Sequence, residues 1–144
     1  MTIAYRLACA VFALATQACA PAPAPAPVAA AVPEAEALFR QDPQWLGGDA
    51  ALSIPLGEAR TLWLFGDSFI APPGETRRTH AAFVRNSIAV QTGLDPTAAA
   101  MQFVWRTERG RPLSFFPERG ERWYWPGHGV RLDGGPLAIF LFEM

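Results

Sequence analysis

The chain has 144 residues, 51% of them hydrophobic, 12% aromatic and 17% charged, with a formal net charge of -1. Those proportions fit a folded domain and exclude a disordered chain, and the missing basic excess excludes a nucleic-acid binder. Every basic residue other than the two histidines is arginine, and the 5 tryptophans and 10 phenylalanines suit a β-rich core or flat platforms for sugar rings.

Residues 1–19 read as an export signal with a lipobox-like end. Arg6 supplies the positive charge, and "LACAVFALA" (7–15) is an apolar run too short to span a bilayer. "TQAC" then places Cys19 where a bacterial lipoprotein signal carries its lipidated cysteine, although Thr16 stands where an aliphatic residue is usual. Ordinary cleavage near Ala18 or Ala20 is the alternative. The expected location is the cell envelope, held to the membrane by lipid on Cys19 and facing the periplasm or on the outer membrane, or else outside the cell. Cys9 falls inside the signal and Cys19 at its cut, so the mature domain has no disulfide, no cysteine nucleophile and no cysteine-ligated zinc.

"APAPAPAPVAAAVP" (20–33) favours extended polyproline II and reads as a semi-rigid tether. The domain proper is expected over 34–144, opening with a short helix in "EAEALFRQ" (34–41). Beyond Trp45 the pattern is mainly period two with Gly and Pro punctuation, which predicts an all-β array, a propeller or a sandwich. Expected strands cover 50–56, 60–66, 83–93 and 101–106, and 128–132 pairs with 136–142 through an Asp-Gly turn. "DPTAAAM" (95–101) suggests one helical turn.

"TLWLFGDSFI" (61–70) carries a Gly66-Asp67-Ser68 that reads like the nucleophile block of GDS-type esterases. The context argues against it. That fold needs a strand-to-helix turn at the serine, and Pro72, Pro73 and Gly74 bar a helix there. The mechanism also needs a histidine oriented by an aspartate three residues before it, but Arg77 and Trp125 stand before His80 and His128.

Asp67 is the better candidate. If the hairpin turn centres on Glu58, residue 56 pairs with 60, 54 with 62, 52 with 64, and Asp49 with Asp67. Opposed side chains there are close, and two neighbouring carboxylates suit acid–base work; a one-residue bulge would make them diagonal neighbours, still within reach of one substrate. The bland alternative is that each aspartate only bonds the amides of its own turn.

The blocks "WLGGDAALS" (from Trp45), "LWLFGDSFI", "FVRNSIAV", and "FFPE…WYWPGHGV" resemble, in this order, the N-terminal part of a bacterial propeller family formerly known as a domain of unknown function. It includes the mycobacterial endo-D-arabinanases, and the resemblance runs from about Trp45 to Leu141. It implies a glycosidase-type five-bladed β-propeller, often exported, with Asp49 and Asp67 at the positions implicated in catalysis. Five blades of four strands need about 20 strands, far more than this chain offers. The expectation is therefore a truncated member holding one to two blades, with the missing remainder of the propeller as a possible partner. The family is broad, and D-arabinan specificity is not implied.

The expected function is glycan handling outside the cytoplasm on a polysaccharide or oligosaccharide, by glycoside hydrolysis with Asp49 and Asp67 as the carboxylate pair. The alternative is a non-catalytic carbohydrate-binding or structural lipoprotein, or an inactive fragment. Trp45, Asn86, Trp123, Trp125 and His128 are the candidate substrate-binding residues. Trp123 and Trp125 share a face of an extended segment and would stack on sugars or pack in the core. Asn86 alternates with Val84, Ile88 and Val90 and is expected to be buried, holding an aspartate or tying strands together. His128 after Pro126-Gly127 is a proton carrier or a turn residue, and Glu118 is a possible third acid. No metal-ligand spacing is present, and no cofactor is expected.

Overall fold

A computed structural model of the protein describes residues 29–144; the expected export signal, Cys19 and the start of the expected tether lie outside the described residues. In chain order the elements are α1 (Pro33–Leu38), β1 (Trp45–Gly48), β2 (Leu52–Gly57), β3 (Arg60–Phe65), β4 (Ser68–Ile70), β5 (Ala82–Val84) and β6 (Ser87–Thr92). They continue with β7 (Ala100–Val104), β8 (Arg106–Glu108), β9 (Arg111–Leu113), β10 (Tyr124–Arg131) and β11 (Leu137–Glu143). The described chain is thus all-β, apart from α1 and one 3-10 turn at Arg78–His80.

The central element is an antiparallel sheet in the order β2-β3-β6-β7. Its first hairpin has the register the sequence predicts in its body, Leu52 opposite Leu64 and Ile54 opposite Leu62. The turn differs. Gly57 pairs with Arg60 after an irregularity, so 56 does not face 60. Glu58 and Ala59 carry positive φ of 52 and 56, as the two central residues of a right-twisting hairpin turn require.

β3 and β6 are the two inner strands of this sheet, and apolar clusters cover both of its faces. Trp45, Phe65, Ala89, Met101 and Phe103 pack on one side. Ile54, Leu62, Leu64 and Ile88 pack on the other, with Ile139 of β11 against them. β10 and β11 form a hairpin around Asp133-Gly134, as predicted. β8 and β9 form another, turning at Arg109 and Gly110.

The strand predicted over 83–93 is broken at Arg85–Asn86, because the Asn86 amide ties this point to other segments. Its Oδ1 accepts from Phe116 N at 2.7 Å, and its Nδ2 donates to Tyr124 O at 2.7 Å and Phe116 O at 3.3 Å. The remaining small sheet has the order β1-β4-β5. Among the described residues no sheet closes on itself.

Candidate functional site

The two aspartates meet where two hairpin segments join. Gly48 pairs with Ser68 in β1–β4, and Leu52 with Leu64 in β2–β3. Asp49 and Asp67 lie between them. Asp49 N donates to Asp67 O at 3.1 Å, while Gly66 N donates to Asp49 O at 3.0 Å. The ladder is irregular at Asp49, which bonds Asp67 through its N–H and Gly66 through its carbonyl, while the register is the same on either side of it. The Asp49 carboxylate lies over Gly66, and a Cβ at that position would collide with Asp49 Oδ1. Glycine at 66 is what lets this carboxylate lie over the backbone next to Asp67.

Asp67 is held from two directions. Trp125 Nε1 donates to Asp67 Oδ1 at 2.9 Å, and Arg85 Nη1 lies 3.9 Å from the same oxygen. The Asp49 carboxylate is exposed and accepts no hydrogen bond among the described residues. A cleft of about 290 Å³ opens over the pair, lined by Gly48, Asp49, Asp67, Phe69, Arg78 and Phe83. A larger cleft of about 690 Å³, between α1 and β1, shares Gly48 and Arg78 with it.

Beside the aspartates runs a row of alternating cations and rings. The Arg78 guanidinium sits 5.2 Å from the Phe69 centroid, and Phe69 sits 5.5 Å from Phe83. The Arg85 guanidinium lies 4.9 Å from Phe83 and 4.5 Å from Trp123. Arginine on an aromatic face is attracted by the ring quadrupole, so each member orders the next. The loop bearing Arg78 is knotted at its base by Glu75, which accepts from the Arg77 side chain, the Arg77 backbone amide and His80. Chiefly the Arg77 side chain holds the Glu75 carboxyl down at about 2.

The predicted substrate-binding residues are placed mainly in the framework. Trp45 is buried, stacks on Phe103 at 4.4 Å, and donates through Nε1 to Ser87 Oγ. Asn86 is fully buried with its amide used internally, and among the described residues it bonds to neither aspartate. Trp123 has Arg85 on one face, and its indole N–H is buried without a partner among the described residues. Trp125 orients Asp67. His128 is exposed, and its Nδ1 lies 2.7 Å from the Gly129 amide rather than on an aspartate. Glu118 accepts from Ser114.

Ser68 is 0% exposed; its Oγ donates to Gly66 O and meets Ser87 Oγ, each at 2.8 Å. The hydroxyl is thus used inside a hydrogen-bond chain that runs from Trp45 through Ser87 to Gly66, in which neither histidine takes part. Among the described residues there is no cluster of three or more His, Cys, Asp or Glu able to hold a metal.

The sequence reading missed four side chains that line or brace the cleft: Phe69, Arg78, Phe83 and Arg85. One signal was present. Phe69 stands between buried Ser68 and Ile70 on β4, so alternation sends it outward, and its cross-strand partner is Phe83.

Residues 34–144 match a family described as a domain of unknown function (DUF5005). No curated protein and no solved structure matches the chain.

Proposed function

Since the chain belongs, over residues 34–144, to the DUF5005 family of domains of unknown function, its activity has to be argued from its site, and we propose that it is a glycan-active domain using Asp49 and Asp67 as a carboxylate pair. The observation that carries this is their juxtaposition across one backbone hydrogen bond, beside a cleft that Phe69 and Phe83 also line. Aromatic faces beside paired carboxylates suit a sugar ring, which presents apolar C–H surfaces and a glycosidic oxygen to protonate. In this reading the reaction is glycoside hydrolysis, one aspartate delivering the proton and the other attacking or activating water. The resemblance to the propeller family that includes the endo-D-arabinanases supports the same pair. It also supports taking β2-β3-β6-β7 as one blade of a propeller, with the β10–β11 hairpin beginning a neighbour. Export with lipid on Cys19 would place the domain at the cell envelope.

Binding without hydrolysis is the second reading, favoured by the open position of Asp49, since acid–base chemistry gains from excluded water. Asp49→Asn and Asp67→Asn separate the two. The amide introduced by Asp67→Asn still offers an oxygen to Trp125, and the half-buried Asp67–Arg85 contact is long, at 3.9 Å, and worth about 1 kcal/mol or less, so both variants should keep the thermal midpoint nearly unchanged. Each should abolish release of reducing sugar from a panel of bacterial and plant polysaccharides that the wild-type chain degrades. Variants that lose stability but keep activity in proportion to folded protein would make both aspartates turn residues.

A further inference from the structure

The charges around the cleft do not balance in pairs. Two arginines, Arg78 and Arg85, stand beside two aspartates, yet only Arg85 is matched. It lies 3.9 Å from Asp67, between the rings of Phe83 and Trp123. Arg78 forms no ion pair with any carboxylate among the described residues, Asp49 included. It is nevertheless held in place. Nε and Nη2 both donate to Leu46 O, at 3.3 and 3.1 Å, and the guanidinium lies against Phe69.

Gly47 completes the seat. It carries a φ of 129, and a Cβ there would strike Arg78 Nη2, so the guanidinium rests directly on the backbone of Gly47. A framework bond to one carbonyl needs a donor, not a charge. What remains is a fixed cation whose Nη1 has no partner among the described residues, at the junction of the 290 Å³ and 690 Å³ clefts. A pre-oriented guanidinium fork with unused donors suits an oxyanion, because its ordering entropy is already lost before the ligand arrives.

We propose that the glycan taken by this cleft carries an oxyanion, a sugar carboxylate or a sulfate or phosphate ester, and that Arg78 receives it. The anionic residue would lie over the Gly47–Arg78 junction, with the neighbouring sugar against Phe69 and Phe83 and over the aspartates. The inference rests on reading the cleft as a glycan site and names its substrate class.

The test is an amide and arginine side-chain NMR titration of the full chain with D-glucuronate, glucose 6-sulfate, glucose 6-phosphate and glucose, at ionic strength matched with sodium chloride. Sodium acetate serves as the anion without a ring. At least one of the three acidic sugars should shift the signals of Gly47, Gly48 and Arg78 Nε, binding about tenfold or more tightly than glucose, as a charge-assisted pair implies. Which of them binds best identifies the oxyanion. Arg78→Gln should remove that advantage, and Arg78→Lys, which keeps the charge without the fork, should retain only part of it. Both variants are compared at equal folded fraction from their amide spectra, and the wild-type comparison stands even if neither folds. Glucose shifting the same signals as strongly, no acidic sugar shifting them, or acetate matching the acidic sugars would each overturn the proposal. Acidic-sugar binding at Arg78 together with an absence of hydrolysis in any glycan would instead remove the hydrolase reading and leave this one standing.

Discussion

At the scale of single residues, the site depends on a missing side chain. Asp49 lies on Gly66, and only the far end of its carboxylate would meet an added Cβ. Gly66 has no positive φ, so alanine is compatible with its backbone. Gly66→Ala should therefore cost little stability while turning the Asp49 carboxylate away from Asp67. The expected outcome is a thermal midpoint close to wild type, with glycan hydrolysis or glycan binding reduced as severely as in Asp49→Asn. A large loss of stability with site function intact per folded molecule would show that Gly66 serves packing alone. Asn86 is the contrasting case. It has a polar side chain in the interior and is tolerated because the break it makes between β5 and β6 is offset by amide hydrogen bonds to Phe116 and Tyr124.

At the scale of the element, the β2–β3 hairpin is specified by alternation and by its turn, and the turn is suboptimal. Glu58 and Ala59 both adopt positive φ, a conformation that carries a penalty for residues with a Cβ. Ala59→Gly should relieve it and stabilise the domain by about 1 kcal/mol, the low end of the strain stored in such residues. Thermal or urea unfolding of the two proteins checks this. The body of the same hairpin carries its register unchanged to Asp49, so a better turn should leave the aspartates' placement unaltered. A shifted register would instead appear as lost contacts between Leu52 and Leu64 in an NMR spectrum.

At the scale of the molecule, β11 is an edge strand with little cover. Phe140 and Phe142 are 62% and 63% exposed, and Leu137 and Leu141 are also open to solvent. β11 pairs only with β10, so one line of its backbone groups is unpaired among the described residues. Such an apolar edge invites pairing with other chains, and charge on it blocks that. The wild-type domain should bind hydrophobic dye and self-associate with rising concentration. Phe140→Glu should reduce both while shifting stability by no more than about 0.5 kcal/mol, as at exposed positions generally. Dye fluorescence, sedimentation and thermal unfolding on the same samples decide it; a monomeric wild type that binds no dye would mean that this edge is covered in solution.

What the sequence determined by itself is local. The period-two pattern and the short Gly-containing turns specify the all-β class and the β2–β3 and β10–β11 hairpins, because both are set by interactions within a few residues. The alternation in the hairpin body brought the Asp49 and Asp67 backbones together, since the pairing sum runs unchanged from Leu52–Leu64 to Gly48–Ser68 even though the turn itself is shifted. The rest was decided by contacts distant in the chain. Trp45 became core by stacking on Phe103, and Trp125 became the clamp on Asp67 through a bond that spans 58 residues. Nothing in the local pattern of an aromatic residue says whether it will be covered, because burial depends on which other strand arrives over it. For that reason the cleft is walled by Phe69 and Phe83, outward residues on short strands, and not by the tryptophans that stand out in the sequence.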